Sequence, residues 1–149
     1  MTTNHCDLCN ELSGGTENAF DRIYARNPKS RILFQSGEFV VIPSLGQIVE
    51  GHLLIVPNRH FAALGDMSDA FVGELGILCR NVRSILKAEY GSCIFFEHGT
   101  RCVDAGGCGV YHAHLHAVPF PAALEPLELL TLEFRYRELK DLSGIGEES

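Results

Sequence analysis

Positive charge is scarce in this chain. Lys and Arg number 12 against 19 Asp and Glu, a net charge of -7 over 149 residues. That balance counts against a protein that coats nucleic acid, where affinity rests on neutralising phosphates. A small phosphorylated ligand held by histidines and backbone amides remains compatible with it. No apolar stretch reaches the length of a membrane span, so no membrane role is expected. Met1 to Asn10 is polar and lacks the apolar core of a signal peptide. There is no internal repeat, linker or sign of a second domain, and the expected location is cytoplasmic. At 46% apolar and 21% charged residues, the composition is that of a soluble globular domain.

Histidine is where the chain is rich. Of seven histidines, three fall at alternate positions in His112-Ala113-His114-Leu115-His116. On a strand such a run turns three imidazoles to one face and Ala113, Leu115 and Ala117 to the other. Imidazole changes charge nearer neutrality than any other unperturbed side chain, which makes the row a chemical tool. Taken alone, it would also serve as a copper or zinc chelator.

Six cysteines call for a separate account. In the cytoplasm disulfides are disfavoured, and paired spacing points to metal or redox chemistry. Cys6 and Cys9 form a C-x2-C pair that supplies half of a tetrahedral zinc site. A redox motif would need a preceding strand, and five residues leave no room for one; zinc is favoured, with idle thiols in a loose terminus as the bland alternative. Cys79 and Cys93 sit in apolar periodic segments and read as small buried hydrophobes. Cys102 and Cys108 flank glycines before the histidine row and offer a weaker second pair.

Periodicity and turn signals give an α+β pattern. A short helix is expected over Ala19 to Ala25, then strands at Arg31 to Gln35 and Glu38 to Ile42 around the Ser36-Gly37 turn. His52 to Val56 is a buried strand closed by Pro57. Ser68 can cap a helix running to Tyr90, with Phe71, Leu75, Leu78, Val82 and Ile85 at helical spacing and Gly91 at its end. Strands over Ser92 to Phe96 and Val110 to Val118 follow, separated by the loop Gly99 to Gly109. Leu124 to Leu142 reads as an amphipathic helix with a strand-like stretch inside it. The expected fold is an antiparallel sheet of about five strands with one long covering helix.

These pieces resemble the histidine triad superfamily, and its zinc-containing branch, from Cys6 to Pro119. Gly51-His52-Leu53-Leu54-Ile55-Val56-Pro57 followed by His60 is similar to the family's Gly-His-x-Leu-x-x-Pro-x-x-His segment. Gly107 to His116 is similar to its phosphate loop and triad. The resemblance implies a single domain over 1–149: a zinc-binding segment over 1–30, a core over 31–121 and a C-terminal extension over 122–149. It implies a homodimer acting on a small nucleotide, as a hydrolase of nucleoside 5′-phosphate derivatives (phosphoramidate, phosphoanhydride or dinucleoside polyphosphate). His114 matches the nucleophile, and His116 would steady the same phosphate. His52 lines the site, and the amides of Gly109 and Val110 would donate to phosphate oxygens. Cys6, Cys9, His60 and His112 match the ligands of a structural zinc. The alternatives are a nucleotidyltransferase, whose members of the galactose-phosphate type carry glutamine at the position of His116, and a nucleotide- or metal-binding regulatory protein with little catalysis.

The chain departs from the family pattern in places. Gly109 replaces a common Ser or Thr, so no hydroxyl reaches the phosphate there. Ser44 stands where an acidic or amide residue usually holds the ribose. Glu97 and His98 fall near a small polar position, where a carboxylate would repel a second phosphate unless it contacts sugar or base; Glu97 is counted among the expected substrate-binding residues.

Overall fold

The structure is a computed structural model that describes residues 6–25, 27–97 and 110–120. In chain order its elements are α1 (Asp7–Leu12), α2 (Ala19–Tyr24), β1 (Phe34–Ser36), β2 (Phe39–Pro43) and β3 (Leu53–Pro57), then α3 (Asp69–Tyr90), β4 (Cys93–Phe96) and β5 (Leu115–Pro119). The five strands form one sheet in the order β1-β2-β3-β5-β4. Every neighbouring pair is antiparallel. This is the α+β architecture expected, with α3 as the covering helix.

The sheet has two chemically different faces. Phe39, Val41, Ile55, Leu115 and Ala117 point to α3, where Leu75, Leu78, Val82 and Leu86 meet them in the larger core cluster. Val40, Ile42, Leu54 and Val56 point the other way and form a smaller cluster with Leu8 of α1. The alternation is what a strand buried on both sides requires. On α3 it is Leu86 that completes the apolar stripe, while Ile85 is 67% exposed. Ser68 occupies the N-cap position, but its side chain makes no capping bond. Gly91 ends the helix with φ of 92°.

Tertiary contacts decide details that local signals leave open. The Ser36-Gly37 hairpin is fastened by Glu74 of α3, whose carboxylate accepts from the Glu38 amide at 3.0 Å. Gly37 has φ of 45°, and a Cβ there would lie 2.5 Å from Glu74 Oε1. Helix α1 was not expected from the sequence. It begins where the Cys6 sulfur caps the Cys9 amide, and it is tied to the sheet by a buried bidentate pair between Arg31 and Glu11, at 2.7 and 2.8 Å. Arg31 also donates to the carbonyl of Pro43.

The expected strand Val110 to Val118 is cut short, with β5 starting at Leu115. Pro57 ends β3 because proline has no amide to extend the ladder. Its carbonyl is taken by His112 Nε2 at 2.8 Å, and the Ala113 amide turns to the carbonyl of Phe61 at 2.7 Å. The histidine segment therefore enters the sheet obliquely. The segments expected at 98–109 and 124–142 lie outside the described residues.

Candidate metal centre and histidine face

Four side chains from three distant stretches converge at one end of β3. Cys6 and Cys9 arrive on α1 and the residue before it, His60 three residues after β3, and His112 ahead of β5. Their ligand atoms all lie within 4.8 Å of one another. Cys9 Sγ is 3.3 Å from Nδ1 of both His60 and His112, and Cys6 Sγ is 3.5 Å from His112 Nδ1. Zinc bonds of about 2.3 Å to sulfur and about 2.0 Å to nitrogen give tetrahedral edges of roughly 3.3–3.8 Å, so the observed sulfur–nitrogen spacings suit a zinc ion. Two thiols and two imidazoles without a carboxylate are a donor set suited to zinc rather than to magnesium or calcium.

The surroundings prepare the ligands. His112 Nε2 donates to the Pro57 carbonyl, which leaves the lone pair on Nδ1, the atom aimed at the sulfurs. Burial, with smaller contributions from His60 and His114, pushes the His112 pKa down to about 4 despite that hydrogen bond. Burial first, and the Cys6 side chain second, push the Cys9 thiol up to about 12. A divalent cation held between them would reverse that preference by stabilising the thiolate.

The second cluster lies on the sheet face opposite α3. Its core is a chain of three imidazoles. The Ile48 amide donates to Nδ1 of His52 at 3.2 Å, which puts the proton of the neutral His52 ring on Nε2. That nitrogen lies 2.9 Å from Nδ1 of His116, so His116 accepts there and carries its own proton on Nε2. His114 Nδ1 donates to the main-chain carbonyl of His112 at 2.7 Å, leaving the lone pair on Nε2. The rings of His114 and His116 are 4.9 Å apart. All four histidines 52, 112, 114 and 116 are buried.

His52 and His112 are both held neutral, His52 by burial first and by the nearby His114 second. The unfolded chain therefore binds more protons than the folded one as the medium turns acid. Their contribution to stability is present above the ordinary histidine value of 6.5 and is lost as pH falls toward the depressed folded values, near 4 for His112. With metal removed, the urea midpoint is expected to drop steadily between pH 7 and pH 4.5, and less steeply in His52→Asn. Equal slopes in parent and variant would remove His52 from this account.

The remaining expected site residues are distributed unevenly. The Ser44 amide donates to the His52 carbonyl at 3.0 Å, extending the β2–β3 register so that Ser44 stands beside His52 on the histidine side. Val110 is exposed just ahead of the row, and Gly109, His98, Cys102 and Cys108 lie outside the described residues. Glu97, expected among the substrate-binding residues, accepts with Oε1 from the Leu64 amide at 2.9 Å, and Leu64 belongs to the core under α3. That contact fastens the turn ahead of α3. Burial and Asp66 raise the Glu97 pKa against that hydrogen bond, burial being the larger cause. Sequence reasoning did not find the main-chain partners, the carbonyls of Pro57 and His112 and the amide of Ile48, nor Phe96, whose ring stacks on His116.

A five-stranded antiparallel sheet under one long helix, with alternating histidines leading into β5 beside the central β3, is the architecture of the histidine triad superfamily. The chain belongs to the family described as "Scavenger mRNA decapping enzyme C-term binding", which matches residues 17–125. It is 28% identical over 102 residues to protein HitA of Neisseria gonorrhoeae, covering 68% of this chain and 94% of that one. It is also 28% identical over 95 residues to the nitrilase and fragile histidine triad fusion protein NitFhit of Caenorhabditis elegans, covering 62% of this chain and only 21% of the fusion protein. Among solved structures, a zinc-bound histidine triad family protein from Mycobacterium smegmatis superposes with a TM-score of 0.61 at 16% identity, covering 94% of this chain and 86% of that one. A family hydrolase from Legionella pneumophila gives 0.57 at 20% identity, covering 82% and 98%.

Proposed function

We propose that this protein hydrolyses nucleoside 5′-phosphate derivatives through a nucleotidyl intermediate on Nε2 of His114. One observation carries the reading: the Nδ1 proton of His114 is committed to the His112 carbonyl at 2.7 Å, which makes the opposite nitrogen a lone-pair donor. In the first step that nitrogen bonds to the α-phosphorus while the bond to the leaving group breaks, and the leaving group takes the electron pair and a proton from solvent. In the second, water attacks phosphorus and gives up a proton to solvent, balancing the one taken in the first step, as the N–P bond breaks and the neutral imidazole returns. His116 is prepared by His52 to donate from Nε2 to a non-bridging oxygen, where negative charge grows in each transition state. The Val110 amide, and that of Gly109, would serve the same oxygens, and Ser44 would meet the ribose.

Zinc would be held by Cys6, Cys9, His60 and His112. With four protein ligands its contribution is structural, clamping α1 to the segment that presents His114. A reducing compartment such as the cytoplasm would keep Cys6 and Cys9 available to the metal. A homodimer is supported by the position of β4 at the sheet edge and by the exposure of Ile77 and Ile85 on α3.

Trapping tests the mechanism. Protein quenched during turnover of a nucleoside phosphoramidate or dinucleoside polyphosphate is expected to gain the mass of one nucleotidyl group, mapped to His114 by peptide mass spectrometry. Turnover without any such adduct, under conditions where hydrolysis of the intermediate limits the rate, would exclude it.

A further inference from the structure

We propose that Phe96 is a positioning residue for His116, setting the plane of its imidazole so that the relay from His52 delivers a proton donor at a fixed angle. This rests on the hydrolase reading above for its catalytic consequence. Its structural content stands on geometry alone.

The register of the β4–β5 pair sets Phe96 directly opposite His116. Cross-strand neighbours share a face, so the phenyl ring is brought to the imidazole by the sheet itself. The two rings lie 4.7 Å apart with an interplanar angle of 4°. The His52 and His116 rings are tilted by 33°, and those of His114 and His116 by 58°. Of these three neighbours of His116, Phe96 shares its plane.

Two independent restraints are needed to fix an imidazole. The hydrogen bond from His52 at 2.9 Å selects which nitrogen accepts, which excludes the flipped ring. It leaves the ring able to rock about the bond axis, because a single acceptor tolerates a broad range of approach. A flat partner against one face removes that rocking, and a ring does so at little cost because it has few rotatable bonds. The adjacent residue strengthens the platform. Glu97 fastens the end of β4 to the Leu64 amide at 2.9 Å, so the backbone that carries Phe96 is itself held. A leucine at 96 would fill much of the same space without offering a plane.

The test compares Phe96→Leu with Phe96→Tyr, which keeps the ring. Two quantities are read. The first, free of any substrate, is the proton resonance of the His52–His116 hydrogen bond, assigned by its loss in His52→Asn. The second is kcat and KM for a nucleoside phosphoramidate. In Phe96→Leu the bridging proton is expected to exchange with water about tenfold faster, and kcat to fall about tenfold with KM within about twofold. Phe96→Tyr restores both. A resonance unchanged in Phe96→Leu overturns the proposal, as does its loss in both variants, which would mark a packing defect without a role for the ring plane. A normal kcat in an active Phe96→Leu enzyme also overturns it. Should the parent not hydrolyse the phosphoramidate, the hydrolase reading is what fails, and the resonance still decides whether Phe96 orients His116. Should Phe96→Leu not fold, Phe96→Met supplies the same comparison with a flexible apolar side chain.

Discussion

His114→Ala is expected to lower kcat by roughly four orders of magnitude or more while leaving KM nearly unchanged. The size of the loss follows from the geometry. In the proposed mechanism the bond that forms in the first step is made to His114 Nε2, and His116, the next imidazole on the face, has its Nδ1 engaged by His52 at 2.9 Å and a proton on the other nitrogen. It is a donor by construction and a poor substitute nucleophile. His116→Ala removes one donor to the phosphate oxygens and is expected to cost less, about 10²–10³-fold, because a lost hydrogen bond to a transition-state oxygen is smaller than a lost covalent path. Steady-state rates of the two variants with one phosphoramidate and one dinucleoside polyphosphate check the ordering. If His116→Ala were the more damaged of the pair on both substrates, the assignment of nucleophile and donor would be reversed.

Removing the metal is the second large effect. The purified protein is expected to contain zinc in stoichiometric amount, and chelation is expected to lower the thermal midpoint by about 10 °C or more, since metal binding energy is folding energy at a site drawn from three parts of the chain. Cys9→Ser should reproduce most of this loss. Its sulfur is 3.3 Å from both histidine nitrogens, and its amide is capped by Cys6, so the substitution strikes the ligand cage and the start of α1 together. Activity is expected to decline with the metal, because His112 supplies both a ligand nitrogen and the carbonyl that holds His114. Zinc-free protein that melts at the same temperature with and without added zinc would dismiss the metal reading.

Much of the fold was legible in the sequence. The sheet class, the helix ending at Gly91 and the opposite facing of His114 and Ala113 follow from periods of two and 3.6 residues, and the structure holds them. Convergence of Cys6 and Cys9 with His60 and His112 was legible only through a family pattern, because no local rule joins residues more than a hundred positions apart. What escaped was set by tertiary contact. Helix α1 exists because Leu8 has an apolar seat and Glu11 a buried arginine, partners that lie elsewhere in the chain. The start of β5 was misplaced because a carbonyl of Pro57 and another of Phe61 divert the chain, and backbone acceptors carry no residue identity to read. The Leu64 partner of Glu97 is not legible for the same reason: it is a main-chain amide.

The acceptor that aligns His114 is itself a peptide carbonyl. In many enzymes the equivalent service comes from an aspartate or asparagine, which a single codon change can delete. Here no replacement at position 112 other than proline takes that oxygen away. Only a displacement of the main chain would do so, by an insertion, a deletion or a proline that alters the path between Tyr111 and Leu115. The nucleophile's tautomer is thus insulated from point substitution and exposed to changes in chain length. Random mutagenesis should find the exposed Tyr111 tolerant of exchange, the buried Ala113 and Leu115 restrained by packing alone, and the segment intolerant of even one residue added or removed.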